Sequence, residues 1–363
     1  RGAGDDKLGS GAVMRARVTS AGTDSSAHGC EVPQPAVEAV FYAPGRHETS
    51  DGSLGIAMNE MVSVDYVTLD VFTERAFGGN PLAVIPDARG LGDREMQAIA
   101  IEFNYSETTF VLPPTDQRAV ARVRIFTPTR ELPFAGHPNV GTAFVVAGLG
   151  RLFDHPLGET FRFEEKVGLV PISIERENGA VTGATLQAPQ SLVIGKSVPA
   201  GVVAECLGLT PGDFRMEGGF PVVASVGLPF LFVELKDRAA LARCRPQAAF
   251  AQQVAGAGAD AIHLFVRNGT NLTARVFVEG GAGAYEDPAT GSANVALAAL
   301  IAERLPERDA GLRLEISQGE DMGRPSRLSA HAVKRQGKVE RAEIGGRCIP
   351  MMHGRLSFAR SGD

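Results

Sequence analysis

The chain of 363 residues contains no tryptophan and only four tyrosines, so it lacks the aromatic surface that carbohydrate or base-stacking platforms use. Its four cysteines, Cys30, Cys206, Cys244 and Cys348, are far apart and form no CxxC spacing. Neither a zinc ribbon nor a disulfide framework is indicated, and scattered reduced thiols are expected of a cytoplasmic protein. No apolar run approaches the roughly 18–20 residues that a membrane-spanning helix requires. No block of Lys and Arg stands out against the formal charge of −6, which argues against nucleic acid or an anionic membrane as the main partner. A P-loop, an HExxH pair and a GxSxG elbow are also missing, and Gly280-Gly281-Ala282-Gly283 fails the dinucleotide spacing. The seven histidines make no ligand-spaced cluster, so no metal is expected. What remains is a protein of two domains acting on a small molecule.

Residues 1–60 are rich in Gly, Ala, Ser, Asp and Thr and lack sustained periodicity apart from a short apolar patch at Val37–Tyr42. This composition predicts a disordered extension, with the biological start at Met58 or Met61 and residues 1–57 upstream sequence or a dispensable tail. From Val62 the signals become dense. Strands are expected at Val64–Leu69, Leu82–Pro86, Thr108–Leu112 and Val120–Phe126, and a helix at Asp93–Phe103. Strands near Thr160–Phe163, Val170–Glu175 and Ala180–Leu186 complete a first domain over 61–189. A second domain over 190–360 repeats the recipe, with helices at Ala200–Leu207 and Ala248–Ala255. Its strands are expected at Leu231–Leu235, Ala261–Val266, Thr273–Val278, Leu312–Ser317, Leu328–Ala332, Val339–Ile344 and Cys348–Phe358, the last able to pack on the first domain. Many strands and few helices, in two successive sets, predict an α+β fold.

Two segments align without gaps: Gly136-His137-Pro138-Asn139-Val140 onward, and Gly291-Ser292-Ala293-Asn294-Val295 onward. Each continues apolar on every face, the pattern of a helix buried all round. One such helix in each half suggests two pseudo-symmetric barrels, each wrapped around a central helix. Helix N-termini offer unpaired N–H groups and partial positive charge, so two of them facing one cleft would suit a small anion.

Three clusters carry titratable or polar residues: Asn104–Phe110 with Glu107, Glu131–Pro138 with His137, and Glu286–Ala293 with Asp287 and Ser292. Glu107 opens an apolar strand, where burial would raise its pKa toward general acid/base use; an exposed strand-end carboxylate is the plainer alternative. His137, Asp287 and Ser292 could serve chemistry or merely cap helices. Taken in order, the clusters resemble the phenazine-biosynthesis PhzF-like isomerase family. The segments Asp70-Val71-Phe72-Thr73, Gly79-Asn80-Pro81-Leu82-Ala83-Val84, Ile125-Phe126-Thr127-Pro128 and Gly323-Arg324-Pro325-Ser326 add to the likeness, which runs from about Val64 to Phe358.

The resemblance implies a diaminopimelate-epimerase-like fold, a homodimer and a reaction that needs no cofactor. It also implies catalytic roles for Glu107, His137, Asp287 and Ser292, with Gly79, Asn80, Gly136, Thr290 and Gly291 binding a small carboxylate-bearing metabolite. The family's characterised members isomerise trans-2,3-dihydro-3-hydroxyanthranilate by moving one proton with a glutamate. Two alternatives stand beside this reading: an amino-acid epimerase or racemase, and a silent binding protein on the same scaffold. Racemases of this fold place a cysteine at each helix start, and neither helix start here carries one. The chain departs from the family at Val278–Tyr285, where a small residue, Pro and a short Gly-containing turn are usual. That departure bears on substrate identity.

Overall fold

The computed structural model describes residues 13–16, 39–42, 60–153, 155–280 and 283–360. Of the extension expected not to fold, Val13–Ala16 and Ala39–Tyr42 pair as a two-stranded antiparallel sheet, the second a run rich in β-forming residues. The rest of residues 1–59, and with it the expected start at Met58, lies outside the described residues.

The remainder is α+β, dominated by a 17-stranded hydrogen-bonded sheet that curls around two helices. Gly136–Leu149 is buried from Gly136 through Ala147, and Gly291–Glu303 from Gly291 through Ala302. A helix with no polar face cannot lie on a surface, so each must be enclosed. The first is wrapped by strands including Met61–Val71, Asn80–Ile85 and Ala180–Gln187, the second by Ala310–Gln318, Ser326–Arg335 and Lys338–Ala359.

The internal repeat extends to strand pairing. In the first half Asn80–Ile85 runs parallel to Glu107–Leu112, and Ala121–Phe126 parallel to Thr160–Glu165 across the central helix. In the second half Pro229–Glu234 runs parallel to Ala261–Asn268, and Asn271–Gly280 parallel to Ala310–Gln318 across the other helix. Parallel neighbours require a crossover, and in each half a buried helix lies within one such crossover.

The helix Asp93–Phe103 forms as expected. Met96, Ile99 and Ala100 are buried, Glu95 accepts the Gly92 N–H at 2.7 Å, and Asn104 in the left-handed region (φ 52°) ends it. Two expected strands, Val339–Ile344 and Cys348–Phe358, are instead one, Lys338–Ala359. This strand pairs in turn with Ser326–Arg335, Ala180–Gln187 and Met61–Val71, and so stitches the second half to the first. Gly345 and Gly346 mark the crossing. A side chain at Gly346 would meet the Phe72 ring at 2.6 Å, so the strand passes there only without one.

The two central helices meet end to end. A Cβ on Gly136 would lie 2.6 Å from the backbone nitrogen of Ser292, and one on Gly291 would lie 3.2 Å from the Gly136 Cα. Backbone therefore touches backbone at the molecule's centre. Gly136→Ala should cost about 2 kcal/mol or more in urea unfolding. Gly201→Ala, on the helix Ala200–Leu207 with open space around it, should be neutral or stabilising and serves as the control.

Candidate active site

The abutting helix starts gather every residue singled out in the sequence. Glu107 is the first residue of Glu107–Leu112, set beside Leu82 by the parallel pairing of its strand with Asn80–Ile85. His137 occupies the first turn of the first central helix, and Gly136 begins it. Asp287 ends the strand Gly283–Asp287, and Thr290, Gly291 and Ser292 lead into the second central helix. Asn80 follows Gly79 at the start of its own strand.

The site is enclosed, with His137, Asp287, Thr290 and Ser292 each at 8% exposure or less. His137 Nε2 lies 3.3 Å from Glu107 Oε2, yet the two are not aligned as a hydrogen bond, and each atom is buried without a partner. Nor is the contact an ion pair. Burial pushes the imidazole pKa down to about 3, so His137 is neutral. Burial, reinforced by the Asp287 charge, pushes the Glu107 carboxyl up to about 8 against the counter-pull of the neighbouring Ser106 hydroxyl dipole. The Asn80 side-chain amide faces His137 Nδ1 at 3.3 Å. An amide NH2 can only donate, so this contact favours the tautomer in which Nδ1 accepts and the ring proton sits on Nε2, the nitrogen nearer Glu107. The pair is thus a neutral imidazole beside a carboxyl whose pKa lies near neutrality.

Around this pair runs a buried polar lattice. The two Asn80 amide protons are shared among His137 Nδ1, Asp287 Oδ1 at 2.9 Å and the Ala289 carbonyl at 3.0 Å, while the amide oxygen accepts from Ser106 Oγ. Asp287 receives the Thr290 hydroxyl, and its pKa is raised by burial despite both hydrogen bonds. Gln318, which nothing in the sequence singled out, ties the second helix start together. It donates to the Asp287 carbonyl and Thr290 Oγ1, and it accepts from the Asn294 amide at 2.8 Å. His263 extends the chain through Asn294 Oδ1 at 2.9 Å.

A second unassigned group holds the loop before Asn80. Arg324 donates to the carbonyls of Gly78 and Gly79 and to Asp70, which also accepts the Phe77 N–H. Gly79 has φ +61° and its missing side chain would overlap the Val71 carbonyl, so the turn admits only glycine. Asn80, expected to bind substrate, spends its amide protons within the protein.

The segment 278–285, read as a loop, is a hairpin of Asn271–Gly280 and Gly283–Asp287. Its antiparallel register sets Tyr285 opposite Val278. Among the described cysteines, Cys206 and Cys244 are buried and pushed up to about 11 and about 12. Cys348 is buried and likewise raised. These thiols are poor candidates for the bases of a racemase.

Comparison with known proteins agrees with this architecture. The model of the family described as phenazine biosynthesis-like protein matches residues 69–354. The chain belongs to that family. A trans-2,3-dihydro-3-hydroxyanthranilate isomerase of Pseudomonas aeruginosa is 36% identical over 293 residues, covering 80% of this chain and 98% of the relative. An uncharacterized isomerase of Mesorhizobium japonicum is 35% identical over 309 residues, covering 82% and 99%. The crystal structure of a PhzF-family protein of Bacillus anthracis superposes with a TM-score of 0.70 at 24% identity, covering 81% of this chain and 99% of that one, and so shares the fold. No described helix is long and apolar enough to cross a membrane.

The enclosure of Glu107 sets a pH signature for stability. From pH 4.5, the ordinary value, to about 8, the unfolded chain releases this proton while the folded chain retains it, so its contribution to stability is lost as pH rises. Glu107→Gln removes the titration. The stability of E107Q relative to wild type should climb across that window and level off above it, as read by urea unfolding at several pH values. Parallel curves would place the carboxyl in solvent.

Proposed function

We propose that this PhzF-family protein is a proton-shifting isomerase of a small, cyclic, carboxylate-bearing metabolite, with Glu107 as its general acid/base. The observation that carries the reading is the pair of buried, unpartnered atoms Glu107 Oε2 and His137 Nε2, set 3.3 Å apart at the abutting helix starts. Leaving two such atoms unpaired costs stability, and a bound substrate would satisfy both.

In this mechanism the Glu107 carboxylate removes a proton from one ring carbon, leaving a dienolate-like anion. The same carboxyl returns the proton to another carbon as the double bonds shift between them, so substrate and product have the same formula. Negative charge building on the substrate meets the His137 Nε2–H and the N–H groups of the first helix turns. These donors are already in place and require no reorganisation. Asp287, Thr290, Asn80 and Gln318 hold the two helix starts and the imidazole in register. The relatives named as trans-2,3-dihydro-3-hydroxyanthranilate isomerases make that compound the first substrate to try. The same reading carries a cytoplasmic homodimer that needs no cofactor; sedimentation of the purified protein tests its oligomeric state.

Incubation with that substrate in deuterated water should place deuterium on a ring carbon of the product. Glu107→Gln should lose at least two orders of magnitude in rate, in line with removal of a positioned base. Because the base must be ionised to accept a proton, kcat/KM should rise with pH until about 8. Exchange by E107Q at the wild-type rate would exclude the single-base mechanism.

A further inference from the structure

Among the described residues, neither Glu107 nor Asp287 is balanced by an arginine or lysine. Burial and neutral hydrogen bonds act on each, together with the negative charge of a neighbouring carboxylate. Arg275, the nearest cation in sequence to Asp287, is committed to Glu286 at 2.6 and 2.9 Å and to the Leu241 and Cys244 carbonyls. A substrate carboxylate entering this site must therefore be met by neutral donors.

Tyr285 is placed to be one of them. It lies two residues before Asp287 on the strand Gly283–Asp287, so the two side chains leave the same face while Glu286 leaves the other toward Arg275. Tyr285 is 47% exposed where Asp287 is buried, which puts its ring at the outer edge of the site. The ring has a built seat: a Cβ on Gly280 of the facing strand would stand 3.1 and 3.2 Å from Tyr285 Cδ1 and Cε1. Gly280 thus leaves the space in which the ring lies flat along the hairpin, a glycine–aromatic pairing that fixes the ring's direction. Partial burial of the ring raises the phenol's pKa, the charges of Asp287 and Glu107 add to the rise, and the hydroxyl stays a hydrogen donor.

We propose that Tyr285, held over Gly280, is a substrate-binding and specificity-determining residue whose hydroxyl donates a hydrogen bond to the carboxylate of the substrate. It rests on the isomerase reading above and assigns a function to the hairpin at which the chain departs from its family. The interaction is formed equally in substrate and transition state, so it acts on binding more than on turnover.

The test uses 3-hydroxyanthranilate, a planar carboxylate of the expected size, and its carboxamide as calorimetric probes. Wild type should prefer the carboxylate. Tyr285→Phe, which keeps the ring on its seat, should weaken carboxylate binding about tenfold and lose the preference over the amide. Gly280→Ala, which displaces the ring, should move in the same direction. With trans-2,3-dihydro-3-hydroxyanthranilate as substrate, Y285F should raise KM about tenfold with kcat within about twofold of wild type. Unchanged carboxylate binding by Y285F overturns the assignment of Tyr285 and leaves Glu107 untouched. A wild type that binds neither probe overturns the substrate class and the assignment together. Wild-type exchange by E107Q, with Y285F still impaired in binding, overturns the base alone.

Discussion

The backbone contact between Gly136 and Gly291 is the constraint on which the rest of this molecule depends. Two helices that are apolar on every side must each be wrapped by strands, and wrapping consumes their flanks. Only their ends remain for contact with one another. With hydrogen in place of a side chain at both positions, the two N-termini approach to within van der Waals distance. The first-turn N–H groups of both halves are thereby concentrated in one small volume, and His137, Thr290 and Ser292 come with them.

That volume has unusual electrostatics. It contains the buried Asp287 and His137 and the largely enclosed Glu107, and among the described residues neither carboxyl is offset by an arginine or lysine. Burial disfavours every charged form, so the carboxyls are raised and the imidazole is lowered until neutral donors and acceptors remain. The cationic side chains near the site work elsewhere. Arg275 secures Glu286, and Arg324 clamps the turn before Asn80 through two carbonyls and Asp70. The positive potential offered to a substrate therefore comes from helix ends and N–H or O–H dipoles, which do not compete with Glu107 for its proton as a lysine would.

How much of this was legible depended on the range of the signal. The helix at Asp93–Phe103 and the two central helices were visible because their periodicity and end residues are local. Glu107, His137, Asp287 and Ser292 were visible because each lies in a compact motif. Gln318 was not: it ends an ordinary strand, and its partners Thr290 and Asn294 lie 28 and 24 residues away. The long last strand was expected as two, Val339–Ile344 and Cys348–Phe358, on local residue pattern alone. Its pairing with Met61–Val71, nearly 290 residues distant, is what keeps it continuous.

The amino-acid sequence by itself determined the two buried helices, the α+β class, the repeat of one half in the other and the residue types able to move a proton. Those properties follow from periodicity, composition and contiguous motifs, which the chain carries regardless of how it folds. Only the tertiary structure decided that the repeated glycines abut, that His137 Nε2 stands 3.3 Å from Glu107 Oε2, and that Tyr285 lies over Gly280 on the face shared with Asp287. Each is a relation across strands or between halves, and its energy comes from burial and close approach. Neither exists until distant segments of the chain exclude water between them.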